Sequence, residues 1–284
     1  MGPTRLSILG VGLLGGSIGL AVRHLLKDCA VVGYGHRRAT LDAALAAGAI
    51  HEAKGTAAEA VRGADLVILC TPVGIFRSIL EEIAPALAPG AIVTDVGSTK
   101  RSVVSAAEQV LPPHVSFVGS HPMAGSEQRG VEFATADLFW DAVCITTPTE
   151  RTRPRALTAV EDFWRLLGMQ VIQLTPTEHD RRLADVSHLP HAVAAALMTI
   201  QEGDSLPLAG KGFRDSTRIA GGDGGLWRDI FIDNRDNLRD SIRRLRGQLD
   251  RLETLLEHND AEAIKLWLDA AASRRRALKA QREK

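Results

Sequence analysis

The sequence predicts a doubly wound α/β domain with a mainly parallel sheet, followed by an all-helical domain. Short β-branched runs alternate with helix-length segments up to about residue 175, and the strand pattern stops after Pro176. A glycine-rich turn directly follows the first predicted strand. We therefore predict two domains, 1–175 and 176–284.

Seven strands and four intervening helical segments are predicted in the first domain. The strands are 5–9, 30–34, 65–70, 91–95, 115–119, 142–146 and 170–174. The helical segments are 40–47, 75–87, 99–110 and 154–167. The last of these has Pro154 at its start and Gly168 just past its end, as helix boundaries prefer.

Composition excludes several classes of protein. The 284 residues carry 34 basic and 34 acidic side chains, whereas a protein that binds nucleic acid is usually more basic. Glycines interrupt the apolar run 6–22, so this run predicts neither a signal peptide nor a membrane span. Cys29, Cys70 and Cys144 are odd in number and far apart, which favours reduced thiols over disulfides. We expect a soluble cytoplasmic protein with no nucleic-acid or membrane partner.

The second domain contains a narrow apolar stripe on the long helical segment predicted at 226–257. Its residues follow a 4-3-4-3-4 spacing: Leu238, Ile242, Leu245, Leu249, Leu252 and Leu256. The stripe fits packing inside the helical domain, and it fits equally well the pairing of helices from two subunits in a homodimer.

The turn Gly10–Val11–Gly12–Leu13–Leu14–Gly15 predicts a dinucleotide site, since it connects a strand to a helix. Gly10 would make the tight turn, Gly12 would let the backbone approach a pyrophosphate, and Gly15 would let helix and strand pack closely. A helix that begins at Leu13 and Leu14 would direct its positive end at the anion.

The end of the second strand indicates which dinucleotide binds. An acidic residue there would bind the ribose of NAD, but Gly35 occupies that position. His36, Arg37 and Arg38 follow and would suit a 2′-phosphate, so NADP is preferred and NAD stays possible. Two further cofactor contacts are expected after strand 65–70, at Thr71 and Pro72.

Three polar clusters are candidates for the chemistry. Ser98 follows strand 91–95, at the edge where open α/β sheets bind ligands, and Ser98 or Thr99 would also cap the next helix. His121 is expected on a short glycine-flanked loop after strand 115–119, where it would serve as a general base. Arg218 would bind a carboxylate.

The third cluster also contains His179, His188 and His191, which raises the question of a metal site. No cysteine or glutamate completes a familiar ligand set, and Pro190 disturbs the local helix. We predict no metal.

Five ordered motifs resemble the prephenate and arogenate dehydrogenases of tyrosine biosynthesis. They are GVGLLGGS, DVGSTK, GSHPMAGSE, HDRRLADVSHLPH with FRDSTRIA, and LWRDIF. The resemblance implies a Rossmann domain followed by an all-α dimerisation domain. It also implies an NAD(P)-dependent dehydrogenase that converts prephenate to 4-hydroxyphenylpyruvate by oxidative decarboxylation, or arogenate to tyrosine.

Residue roles follow from the same resemblance. His121 would polarise the 4-hydroxyl of the substrate ring, and Ser98 would assist it. The substrate pocket would be lined by Ser187, His191 and Arg218. Glu127 and Asp215 would be supporting or gating groups, and Trp227 would reach the site of a partner subunit.

Two other classes stay open. A different Rossmann dehydrogenase, acting on a 3-hydroxy acid or an imine, would be expected to use a catalytic lysine in the helical domain. A dinucleotide-sensing protein would bind the cofactor without turnover.

Overall fold

The computed structural model describes residues 2–125 and 128–282, and their core is an eight-stranded sheet. The strands are β1 Arg5–Leu9, β2 Ala30–Tyr34, β3 Glu52–Ala53, β4 Leu66–Leu69, β5 Ile92–Asp95, β6 Ser116–Pro122, β7 Val143–Thr147 and β8 Gln170–Gln173. Their order across the sheet is β3-β2-β1-β4-β5-β6-β7-β8. All neighbouring strands are parallel except β6 and β7, which pair antiparallel. The prediction of a doubly wound, mainly parallel sheet is confirmed.

Helices alternate with the strands along the chain and follow the last strand. They are α1 Leu13–Leu25, α2 Arg38–Ala46, α3 Ala57–Val61, α4 Phe76–Ile83, α5 Arg101–Val110, α6 Pro154–Leu166, α7 Pro176–Leu183, α8 Leu189–Thr199, α9 Lys211–Thr217, α10 Gly224–Asp233, α11 Arg235–Glu257 and α12 Ala261–Arg282. The chain divides into two compact units, Met1–Arg235 and Asp236–Lys284. Among the described residues, no helix combines the length and the apolar character needed to cross a membrane.

The sheet separates two apolar clusters. Strand side chains alternate between its faces, so Leu6 and Ile8 of β1 enter one cluster and Leu9 enters the other. Helices α1 and α6 contribute to the first cluster, and α3, α4 and α5 to the second. Because both faces of the sheet are covered, the strands are continuous apolar runs in the sequence and do not alternate between apolar and polar residues. This pattern made them recognisable.

Some boundaries differ from the prediction. Strand β6 extends three residues past the predicted end at 119, through Pro122, because Gly119–Pro122 pair with β7. The two-residue β3 was not predicted, since it has no apolar run of its own. The helical segment from residue 226 to 257 is two helices, α10 and α11, with Asn234 between them.

Candidate active site

The glycine-rich turn after β1 has the geometry of a phosphate-binding turn. Gly10 has φ +106°, a conformation that favours glycine, and a Cβ there would lie 2.6 Å from the carbonyl oxygen of Cys70. A Cβ on Gly15 would overlap the carbonyl oxygen of Gly10. The turn therefore requires glycine at both positions, and it lies between β1 and β4, where the strand order reverses.

The residues present at this turn fit a dinucleotide. Gly12 caps the N-terminus of α1, and a Cβ built on it would meet no described residue within 4 Å, which leaves room for an anion at the first amides of α1, at Leu13 and Leu14. Thr71 adjoins the turn, since its amide nitrogen would lie 3.0 Å from a Cβ on Gly10. Its hydroxyl is buried without a hydrogen-bond partner in the structure. The adjacent Pro72 is exposed and precedes the 3-10 turn Val73–Ile75.

The end of β2 is exposed and basic. His36, Arg37 and Arg38 are all exposed, and Arg37 stands immediately before α2. Arg38 donates a hydrogen bond from Nε to Asp42 one turn later, at 2.9 Å. Arg37 is thus the residue of this group best placed to direct its guanidinium at a ligand beyond the end of β2.

A buried ion pair connects β5 to β6. Asp95, the last residue of β5, pairs with Lys100, and both side chains are fully buried. Lys100 Nζ also donates to the carbonyl oxygen of Ser120 at 2.9 Å, while Asp95 accepts from the amide of Ser120 at 3.0 Å. The indole of Trp164 donates to the Ser120 hydroxyl at 3.0 Å. These bonds fix Ser120 and, with it, the neighbouring His121.

His121 lies within β6 and not on a loop after it, which corrects the prediction. The reason is the antiparallel pairing with β7, in which His121 faces Ile145. A strand holds its side chains more rigidly than a free loop, so this placement suits a group that must meet a substrate in one orientation.

A chain of hydrogen bonds leads from His121 into the helical region. Its Nδ1 lies 2.9 Å from Nε2 of His179, and Nδ1 of His179 lies 2.8 Å from Oδ1 of Asp180. His179 and Asp180 belong to α7, whose start is fixed by a capping box between Thr175 and Glu178. Asp180 also accepts from the backbone amides of Lys100, at 2.7 Å, and Arg101, at 3.0 Å.

Asp180 therefore caps α5 in place of a local residue. The expectation that Ser98 or Thr99 caps this helix is wrong, since no side-chain cap of its own chain segment is present and Lys100 occupies the N-cap position. A carboxylate from a distant helix satisfies the free amides instead. This bond also attaches α7 to the sheet.

Burial determines the protonation states of His121, His179 and Asp180. Burial lowers the pKa of His121 well below its ordinary value, and the neighbouring His179, Lys100 and His188 lower it further. Burial likewise lowers the pKa of His179, although the hydrogen bond to Asp180 opposes this. For Asp180, burial raises the pKa, but hydrogen bonds from His179 and Arg101 outweigh it and bring the pKa below its usual range. At neutral pH these three side chains are therefore two neutral imidazoles and one carboxylate.

A second group of side chains surrounds His188. Asn234 donates to the carbonyl oxygen of Asp180 at 2.7 Å and lies 3.1 Å from Nδ1 of His188. Burial lowers the pKa of His188 to about 4. Nδ1 of His191 is buried and has no hydrogen-bond partner among the described residues, which marks it as a donor or acceptor for a ligand.

Trp227 stacks on His191 of the same chain. The ring centroids are 3.5 Å apart and the planes are inclined by 16°. The indole thus supports an imidazole of its own subunit, and its expected reach to a partner's site stays a prediction. A Cβ on Gly222 would lie 2.7 Å from the indole nitrogen, so Gly222 leaves room for the stack.

The other predicted site residues are spread over several elements. Ser98 is partly buried in the segment between β5 and α5, and Ser187 is partly buried in the π-helical turn Ala184–His188. Arg218 and Asp215 are exposed, and Asp215 pairs with Lys211 one turn earlier in α9. Glu127 lies outside the described residues.

Sequence reasoning considered His179 only as a metal ligand, and it assigned no role to Asp180, Asn234 or the Asp95–Lys100 pair. The signal for His179 and Asp180 was present, because a histidine and an aspartate are adjacent near the start of a helix. The contact with His121 spans 58 residues, and no local pattern specifies it.

Comparisons with known proteins match this architecture over nearly the whole chain. The family model described as the nucleotide-binding domain of prephenate dehydrogenase matches residues 18–173, and the one described as its dimerization domain matches residues 175–270. The chain belongs to the prephenate dehydrogenase family. It is an NAD(P)-dependent oxidoreductase of that family, and the resemblance inferred from the sequence motifs is confirmed.

Two relatives illustrate how far the similarity extends. A prephenate dehydrogenase of Bacillus subtilis is 36% identical over 95% of this chain and 75% of its own length. A cyclohexadienyl dehydrogenase of Zymomonas mobilis is 32% identical over 97% of this chain and 96% of its own.

Solved structures in the family share the fold. Prephenate dehydrogenase from A. aeolicus, in complex with hydroxyphenyl propionate and NAD+, is 32% identical, with a TM-score of 0.91 over 98% of this chain and 99% of that one. Arogenate dehydrogenase from Synechocystis is 31% identical, with a TM-score of 0.82 over 96% of this chain and 99% of that one.

Proposed function

We propose that this family member oxidises and decarboxylates prephenate to 4-hydroxyphenylpyruvate, with His121 accepting the proton of the ring 4-hydroxyl. The observation that carries the proposal is the position of His121, a neutral imidazole on the rigid strand β6 at the ligand-binding edge of a dinucleotide sheet. Family membership and the B. subtilis relative support the choice of reaction.

The chain's own residues supply binding, orientation and one proton acceptor. Hydride leaves the hydroxyl-bearing carbon as His121 takes the hydroxyl proton, and loss of carbon dioxide then makes the ring aromatic. We assign Ser98 to the same hydroxyl or to the imidazole. We assign Ser187, His191 and Arg218 to the substrate pocket, with Arg218 on a carboxylate.

Three of the remaining assignments are part of the same proposal. Trp227 would hold His191 in place by stacking. Asp215 and Glu127 would be supporting or gating groups near the pocket.

NAD(P) is the cofactor, and when bound it supplies the hydride acceptor. Gly10, Gly12, Leu13, Leu14 and Gly15 would hold its pyrophosphate, with Thr71 and Pro72 beside them. We propose a preference for NADP, because His36, Arg37 and Arg38 follow β2 where an acidic residue would favour NAD. NAD would remain usable.

Arogenate is the second candidate substrate. It carries an ammonium group where prephenate has a keto group, and relatives named arogenate and cyclohexadienyl dehydrogenase support keeping it. An acidic side chain at that group would favour arogenate, and the chain offers Asp215 and Asp223 as candidates.

We further propose that the protein is a cytoplasmic homodimer, with its domain boundary at residues 175 and 176. The family model for residues 175–270 describes a dimerization domain. On α11, Leu249 and Leu256 of the apolar stripe are more than half exposed, as expected of a surface that pairs with a second copy. Light scattering at micromolar concentration should give twice the mass of the 30.5 kDa chain, and a monomeric mass would reject the dimer.

The test of function is the absorbance at 340 nm with purified protein, prephenate or arogenate, and NAD or NADP. We expect a rise with prephenate that is faster with NADP than with NAD, and 4-hydroxyphenylpyruvate as the product. Turnover of arogenate alone would move the assignment to the second candidate. No signal in any of the four combinations would contradict the proposed function.

A further inference from the structure

We propose that His179 and Asp180 form a buried proton relay behind His121, which holds the proton of the substrate hydroxyl during turnover and then returns it. The inference rests on the proposed function and adds two positioning residues to it. It starts from three side chains in series, His121, His179 and Asp180, joined at 2.9 and 2.8 Å.

With both imidazoles neutral, the hydrogen bonds allow one arrangement of protons. The carboxylate of Asp180 can only accept, so Nδ1 of His179 carries a proton and its Nε2 has a free lone pair. That lone pair accepts from Nδ1–H of His121. Nε2 of His121 is then left without a proton, as a base for the substrate hydroxyl requires.

Asp180 is held in place from three sides. Oδ1 accepts from the amide of Lys100, Oδ2 accepts from the amide of Arg101, and the backbone carbonyl accepts from Asn234. The carboxylate thus lies at the positive end of the ten-residue helix α5. It stays ionised and does not leave His179 when a proton arrives.

Proton transfer along the relay balances. As hydride leaves the substrate, the hydroxyl O–H bond breaks, its electron pair forms the carbonyl bond, and the proton binds to Nε2 of His121. The proton on Nδ1 of His121 then moves to Nε2 of His179, and the resulting imidazolium is paired with Asp180. When carbon dioxide leaves, its bonding electrons enter the ring, and the phenolate oxygen takes a proton back from Nε2 of His121 as the relay reverses.

The reaction needs no net exchange of protons with water, and the three side chains of the relay are shielded from solvent. His121 is 7% exposed, Asp180 is 2% exposed and His179 is fully buried. A proton stored there does not require a solvent path. An ordinary base that released its proton to water would have no such requirement for burial.

The other charged or titratable groups around the relay do not replace Asp180. Asp95, the last residue of β5, and Lys100, at the N-cap of α5, form an ion pair with each other. His188, from the π-helical turn, is neutral, since burial lowers its pKa to about 4. Among the described residues, Asp180 is therefore the anion that is hydrogen-bonded to the imidazoles of the relay.

The first arm of the test is NMR of the full-length protein with 15N-labelled histidine, without substrate. We expect Nδ1–H tautomers at both His121 and His179, assigned with the variants His121→Asn and His179→Gln. An Nε2–H tautomer at His121 would overturn the relay whatever the substrate proves to be. This arm does not depend on activity, so it separates failure of the relay from failure of the proposed function.

The second arm is kinetic and compares His179→Gln, Asp180→Asn and the control His114→Gln. Glutamine at 179 still accepts from His121 but cannot carry a proton onward, and His114 is exposed. For the two relay variants we expect the single-turnover rate to fall by about 10- to 100-fold, with KM within about 3-fold. The control His114→Gln should have the single-turnover rate and the KM of the parent.

Two further readouts exclude a purely structural role. A plot of rate against the fraction of D2O should be curved for the parent, in which two protons move in the rate-limiting step. The plot should be linear for His179→Gln, in which only one proton moves. Since Asp180 stabilises the protonated pair, Asp180→Asn should shift the acid limb of kcat/KM to lower pH. Unchanged rates, or lower rates with the parent's curvature and acid limb, would overturn the proposal.

Discussion

The two ends of the ligand-binding edge of the sheet differ in how far their ionisable side chains are buried and in how these side chains are held. Beyond β2, the groups proposed to select the cofactor, His36, Arg37 and Arg38, are exposed and supported by a single local ion pair. At the ends of β5 and β6 the ionisable groups are buried: Asp95 and Lys100 each make two or more hydrogen bonds, and His121 is hydrogen-bonded to His179. Charge in water is screened, whereas buried charge acts strongly on its neighbours. We therefore expect large effects from changes at the buried end and small ones at the exposed end.

The largest effect should come from His121→Asn. Asparagine retains a polar side chain but cannot accept the hydroxyl proton, so we expect kcat to fall by about 100- to 10,000-fold while cofactor binding is retained. Rates come from the absorbance at 340 nm, and cofactor affinity from fluorescence titration. Activity within about 3-fold of the parent would remove His121 from the chemistry.

The buried ion pair should be the next most sensitive feature, in stability rather than rate. Burial raises the pKa of Asp95 and Lys100 opposes this, so Lys100→Met leaves a buried carboxyl without its cation. We expect the free energy of unfolding to fall by about 3–5 kcal/mol, measured by urea titration.

The matched control is Lys211→Met, which breaks the exposed pair with Asp215. Surface pairs contribute about 0–1 kcal/mol, so this variant should unfold close to the parent. Equal losses in the two variants would show that burial does not distinguish the two pairs.

At the exposed end, Arg37→Ala should act on one cofactor only. A charged hydrogen bond to a 2′-phosphate is weakened by solvent there, and we expect the KM for NADP to rise about 10-fold with little change for NAD. Arg155→Ala, another exposed arginine, is the control. A similar rise for both cofactors would refute the role of Arg37 in selecting NADP.

A smaller effect is expected where the backbone accommodates the stack of Trp227 on His191. Gly222 has φ −64° and ψ 164°, which alanine tolerates, so Gly222→Ala adds only a methyl group 2.7 Å from the indole nitrogen. We expect the substrate KM to rise about 5-fold, equivalent to roughly 1 kcal/mol. Gly221→Ala, whose Cβ would meet nothing within 4 Å, should behave as the parent, and the same KM in both variants would count against the stack.

The same contrast explains what the sequence predicted and what it did not. Strands 5–9 and 30–34 were predicted with their observed ends, because buried parallel strands are continuous apolar runs bounded by glycine or charge. The glycine turn was recognisable because its constraints are local: Gly10, Gly12 and Gly15 are within six residues.

Long-range contacts at the buried end had no such signature. Asp180 caps a helix that begins 79 residues earlier, which displaced Ser98 and Thr99 from the capping role that their positions suggest. His121 was placed on a loop because the pairing of Gly119–Pro122 with β7 depends on a partner strand more than twenty residues away. Local patterns define the elements, whereas the contacts between elements decide how the catalytic imidazole is held.

The most direct test of the role of His121 is a crystal structure of the protein with oxidised cofactor and 4-hydroxyphenylpyruvate. We predict that Nε2 of His121 lies about 2.6–3.2 Å from the phenolic oxygen while its Nδ1 still contacts His179. A product bound with that oxygen on another side chain, or a His121 ring turned so that Nδ1 faces the ligand, would contradict it.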